Sequence, residues 1–140
     1  MCLSLHYCFR KKRRRWWLMR YQFFNKNPLG NLEEDCVCRA ISGALNLNYY
    51  EIQNKLHLIG SLFECEFLCE CCYKHLLDYV FGLTRYEEFK GMSIKEFAEI
   101  FNKGVYIIRV EGHLTFIENG ILKDTWNCSN EKVDIVWKVN

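Results

Sequence analysis

Val105-Tyr-Ile-Ile-Arg-Val110, His113-Leu-Thr-Phe-Ile117, Ile121-Leu-Lys-Asp-Thr-Trp126 and Val133-Asp-Ile-Val-Trp137 decide the fold class. These runs are rich in β-branched and aromatic residues, and Asn119-Gly120 stands between the second and third. Both turn residues tolerate positive φ, so the pair marks a two-residue hairpin loop. About four antiparallel strands are therefore expected after Gly104.

Upstream the apolar spacing is helical. Val37, Ala40, Ile41, Ala44 and Leu45 form one face of a helix that Cys36 opens, with Asp35 placed to cap it. Three further helices are expected near 49–58, 62–81 and 94–102. Each is introduced by a polar cap followed three residues on by glutamate: Asn48 with Glu51, Ser61 with Glu64, and Ser93 with Glu96. Gly82 and Gly104 serve as terminators. Asn25 to Asn31, with Pro28 and Gly30, reads as an exposed loop leading into the first helix. Helices first and an antiparallel sheet second is an α+β architecture.

The chain has 140 residues, enough for one domain with one core. Nine cysteines, an odd number with no secretory leader before them, argue for free thiols and a cytoplasmic location over a disulfide framework. No apolar run is long enough for a membrane span.

Six of the nineteen basic residues form the unbroken run Arg10 to Arg15, followed by Trp16 and Trp17. Without residues 1–18 the remainder carries a net charge of −4. Like charges in a block repel, so residues 1–18 are expected to be a disordered basic extension. Binding of nucleic acid, or of an anionic membrane surface, is confined to residues 10–17. Residues 19–140 are expected to be the folded domain, and Met19 its natural start.

Counted outward from the Asn119-Gly120 loop, Glu118 pairs with Ile121, Thr115 with Asp124 and His113 with Trp126. His113 and Asp124 are then diagonal neighbours on one face, roughly 7 Å apart along the backbone, within reach for a carboxylate to orient an imidazole. Such a histidine needs a nucleophile. The thiol at a helix start is the best candidate, since the unpaired amides and the helix dipole favour thiolate. Cys36 has that position; its distance from His113 does not follow from the sequence.

Asp35-Cys-Val-Cys-Arg-Ala-Ile-Ser42, Lys103-Gly-Val-Tyr106, Gly112-His-Leu-Thr115 and Asn119-Gly-Ile-Leu-Lys-Asp-Thr-Trp126 together resemble short papain-like proteins of low-GC bacteria and their phages. The resemblance spans about residues 19–138. It implies a papain-like α+β fold and a cysteine peptidase or related thiol acyl hydrolase acting on a protein or peptide, without a cofactor. Cys36 would be the nucleophile, His113 the general base and acid, and Asp124 the orienting group. Papain-like enzymes usually place Gln or Asn shortly before the cysteine to help hold the oxyanion. The nearest here is Asn31, five residues ahead, to act with the Cys36 amide. The alternative is a non-catalytic papain-like binding or effector protein of phage origin. Peptidoglycan amidases share the plan, but no exporting leader or wall-binding module is visible.

Cys65, Cys69, Cys71, Cys72 and His75 invite a zinc site. Yet Cys65, Cys69, Cys72 and Leu76 recur at helical spacing beside Leu62, Leu68 and Val80, so they read as one apolar helix stripe with no metal. Trp126 and Trp137 read as core or rim packing. Cys128, in the polar run Asn127 to Asn130, reads as an exposed loop thiol, and Cys38 as facing away from the position of Cys36.

Overall fold

The computed structural model describes residues 21–140. The basic run, the disordered extension and the Met19 start expected above lie outside the described residues.

The elements run β1 (Tyr21–Phe23), α1 (Cys36–Leu45), α2 (Tyr49–Phe63), α3 (Glu70–His75), β2 (Thr84–Tyr86), α4 (Ile94–Ile100), β3 (Val105–Val110), β4 (His113–Glu118), β5 (Ile121–Asp124) and β6 (Ile135–Val139), with α3 continuing as a π-helical turn over Leu76–Val80. The fold is α+β, built on one six-stranded sheet of order β1-β5-β4-β3-β6-β2. All neighbours are antiparallel except β1, which runs parallel to β5. The sheet thus has two strands more than expected and is mixed. Both extra strands are three-residue edges, too short to show an alternation in sequence, and short edges discourage pairing with other chains.

The alternation along the strands explains the near-continuous apolar runs. Ile107, Leu114, Phe116, Ile135 and Trp137 pack with Ile41, Ile52, Leu56, Leu76 and Leu77 from the first three helices. Their sequence neighbours Ile108, Ile117 and Val136 pack, together with Leu122, against Ile94 and Phe97 of α4. Both faces of the sheet are covered, so successive residues are buried in opposite directions.

The hairpin has the expected register, Glu118 with Ile121 and Ile117 with Leu122. Asn119 and Gly120 have φ of 51° and 77°, as a primed turn requires. The cap of α4 is complete: the Ser93 hydroxyl accepts from the Glu96 amide, and the Glu96 carboxylate accepts from the Ser93 amide. Asn48 caps α2, accepting from the amides of Tyr50 and Glu51.

The expected helix over 62–81 does not form as one piece. Ser61 lies inside α2, which continues to Phe63 and ends where Glu64 turns left-handed at φ 54°. Residues 64–69 fold back on α2, and α3 starts afresh at Glu70. Gly60 permits this. A Cβ there would stand 2.7 Å from the Cys65 carbonyl oxygen and 3.3 Å from the Phe67 Cα. The returning loop stacks Phe67 on His57, ring centroids 3.7 Å apart. Leu62, counted above as part of an apolar stripe, is 71% exposed.

Candidate active site

Three elements meet at the open end of the β4–β5 hairpin, opposite its turn. His113 begins β4, Asp124 ends β5, and Cys36 is the first residue of α1. The pairing of β4 with β5 runs as far as Phe116 with Lys123, so the strands part just before the two polar side chains face one another. His113 Nε2 lies 2.6 Å from Asp124 Oδ2. Cys36 lines the same cleft as His113 and Leu114, and the imidazole and the Leu114 amide both favour its thiolate.

Asp124 is held from all sides. Its Oδ1 accepts from Arg39 Nη1 at 3.1 Å and from the Thr125 amide at 2.6 Å. Its own carbonyl accepts from the Phe24 amide at 2.9 Å and the Tyr21 hydroxyl at 3.2 Å, so the short β1 fixes its backbone. Arg39 is in turn gripped by Asp35, Nε to Oδ1 2.6 Å, one helical turn earlier. Asp35 also accepts from Asn27 Nδ2 at 2.9 Å and the Tyr49 hydroxyl at 2.7 Å. Asp35 stands at the N-cap position but makes no side-chain cap bond, because its oxygens are spent on these three partners.

These contacts set the ionisation states. Burial alone would push the Asp124 carboxyl up, but the hydrogen bond and charge of His113 bring it below the usual carboxylate range. Burial likewise opposes the His113 imidazolium, yet bonds to Asp124, Cys128 and Cys36 raise its pKa to about 11. Cys36 is half-buried, which disfavours thiolate, and the bonds from His113 and the Leu114 amide outweigh this and lower its pKa. The pair is therefore biased toward thiolate and imidazolium. Cys38, 1% exposed and two residues on, faces the core, and burial pushes its thiol up to about 12.

Cys128 corrects the sequence reading. It is 1% exposed, not an exposed loop thiol, and its Sγ lies 3.7 Å from Asp124 Oδ2. Burial, then the Asp124 charge, keeps it protonated. The polar run around it misled because the loop after β5 turns this one side chain inward. Trp137 is fully buried, whereas Trp126 is half-exposed with its ring centroid 5.2 Å from that of His113.

Asn31 is not brought to the sulfur. It is exposed, its side-chain amide donates to Glu33 Oε1 at 3.0 Å, and it does not line the cleft above Cys36. The backbone amides at the start of α1 remain as donors beside the thiolate. The cleft itself is open, about 810 Å³, and runs from Cys36 and His113 past Trp126 on one side to Glu66, Leu68 and Tyr73 on the other. Arg39, Asn27 and Tyr49 were missed in the sequence. The spacing of Asp35 and Arg39, four apart on a helix, was the one readable signal.

Among the described residues no helix is long and apolar enough to cross a membrane. Compared with family models, with curated proteins and with solved structures, the chain finds no match.

Proposed function

We propose that the chain is a cysteine peptidase or related thiol acyl hydrolase of papain-like plan. The reading rests on one observation: an imidazole held 2.6 Å from a buried carboxylate lines the same cleft as a sulfur at the first residue of a helix and lowers that thiol's pKa.

In this reading the Cys36 thiolate attacks the substrate carbonyl carbon, and the carbonyl electron pair moves onto oxygen. The amides opening α1 donate to that oxyanion. The His113 imidazolium gives its proton to the departing amine as the C–N bond breaks, leaving an acyl-enzyme on sulfur. Neutral His113 then takes a proton from water, whose oxygen attacks the thioester. The acid product leaves, and the proton returns the pair to thiolate and imidazolium. Asp124 keeps the ring oriented throughout, and Arg39 keeps Asp124 in place. Trp126 shields the ring from solvent.

The position of Asn31 favours a second reading, a papain-like protein that binds peptides without cleaving them, since among the described residues no side-chain amide lines the cleft. A library of internally quenched peptides separates the two. Cleavage that is abolished by Cys36→Ala and by His113→Ala supports the enzyme. Peptides that bind the wild-type chain but are never cut, with Cys36→Ala binding equally well, overturn it.

A further inference from the structure

The single helix expected to carry the remaining cysteines is broken, and although Cys72 is buried in the core with Cys65 and Cys69 packed against it, the break gives the sulfurs a different relation. Cys65 lies in the loop that folds back over Gly60, Cys69 immediately precedes α3, and Cys71 and Cys72 lie in its first turn. The four sulfurs all fall within 4.8 Å of one another. Cys65 is 2.7 Å from Cys71 and 3.3 Å from Cys72, Cys69 is 3.8 Å from Cys72, and Cys71 is 4.0 Å from Cys72. His75 is not part of the group: its ring lies against Phe63 and Tyr79.

We propose that Cys65, Cys69, Cys71 and Cys72 form a structural tetrathiolate site for one zinc ion. Zn–S bonds of about 2.3 Å in a tetrahedron set the sulfurs about 3.8 Å apart, and the Cys69–Cys72 and Cys71–Cys72 edges are already there. The Cys65–Cys71 edge opens by about 1 Å on binding. Thiols packed this closely cannot all ionise alone, because each thiolate repels the next; a dication removes that repulsion and displaces the protons still held. Cys65 and Cys69 come from the loop 64–69 and Cys71 and Cys72 from the first turn of α3, so the ion pins that loop to the helix.

The place of the site gives it a purpose. Glu66 and Leu68 lie between the first two ligands and form a wall of the cleft above Cys36. Without metal the Cys72 thiol donates to the Glu66 carbonyl at 3.4 Å, so the cluster lies directly against the wall, and zinc takes the place of that proton. Zinc here fixes the shape of the cleft without touching the Cys36–His113 pair.

The test is the metal content of the full chain produced with added Zn²⁺ and purified without chelator, with and without Cys71→Ser. Cys71 is exposed, so the change is tolerated by a protein that holds no metal. One zinc per chain in the wild type and in Cys36→Ala, with binding weakened at least about 100-fold in Cys71→Ser, is the expected result. Co²⁺ added to reduced protein should give the strong visible absorption of a tetrahedral thiolate complex. Zinc should also protect the peptide spanning Cys65 to Cys72 from alkylation, a readout that survives if Cys71→Ser does not fold. Absence of zinc with only the pale octahedral cobalt spectrum overturns the proposal. So does zinc retained by a folded Cys71→Ser, or a Cys65–Cys71 disulfide in protein purified under reducing conditions. None of these readouts depends on catalysis, so they stand or fall apart from the peptidase reading.

Discussion

Replacing Asp124 with Asn tests the electrostatic frame of the site without changing its shape. The carboxylate is 4% exposed and holds two cationic groups, His113 at 2.6 Å and Arg39 at 3.1 Å. Removing one partner of a buried ion pair costs about 3–5 kcal/mol, because the other charge is left uncompensated. Arg39 keeps Asp35, so the lower figure, about 3 kcal/mol, applies. With a urea dependence of about 1.5 kcal/mol per molar, the unfolding midpoint should fall by about 2 M. The loss should depend on pH in a definite direction. His113 is raised from 6.5 to about 11 in the folded chain, so its contribution is complete below the unfolded value and fades as pH rises toward 11. Asp124 is lowered, so its contribution is complete above the ordinary carboxylate range and fades as pH falls through its folded value. Urea unfolding followed by tryptophan fluorescence should therefore show the largest difference between wild type and Asp124→Asn just below pH 6.5, and one that shrinks steadily as pH rises toward 11. A midpoint change below about 0.5 M at neutral pH, or one independent of pH, would refute the paired-charge account.

Two more outcomes follow from the cleft and the loop beside it. Gly60→Ala pushes a methyl to 2.7 Å from the Cys65 carbonyl, which backbone can relieve only by moving. Calorimetry should find about 2 kcal/mol lost, or a fall in Tm of about 7 °C, whereas an unchanged Tm would mean that the loop does not press on α2. Glu33, Glu34 and Glu66 are exposed along the cleft, while Arg39 and Arg109 are paired with carboxylates. Peptides carrying Lys or Arg should thus be turned over about tenfold faster in kcat/KM than their Glu counterparts at low salt, with the gap closing at high salt; equal rates would count against acidic steering.

What could be read from the sequence divides along physical lines. The Asn119-Gly120 turn fixes the β4–β5 register by itself, since a two-residue primed loop permits only one pairing, and that register carries His113 and Asp124 to the same end of the hairpin. The opening of α1 at Cys36 was also legible from its apolar spacing. The meeting of Cys36 with His113 was not, because it depends on how α1 lies on the sheet, which is a matter of packing across 77 residues of chain. The break between α2 and α3 was hidden because Leu62, Cys65, Cys69, Cys72 and Leu76 satisfy a helical period by chance. Only the close approach at Gly60 reveals that the chain doubles back there. Cys128 was misplaced because its neighbours are polar; burial of one residue in a turn leaves no periodic trace.

The central claim is that Cys36 carries a thiolate stabilised by His113, and the pH dependence of its alkylation measures that state directly. Cys36 should react with iodoacetamide well below the pH at which an ordinary thiol does, faster than free cysteine in the same solution, and His113→Ala should return it to ordinary behaviour. An alkylation profile for Cys36 that matches a free thiol in the wild type, unmoved by His113→Ala, contradicts the account.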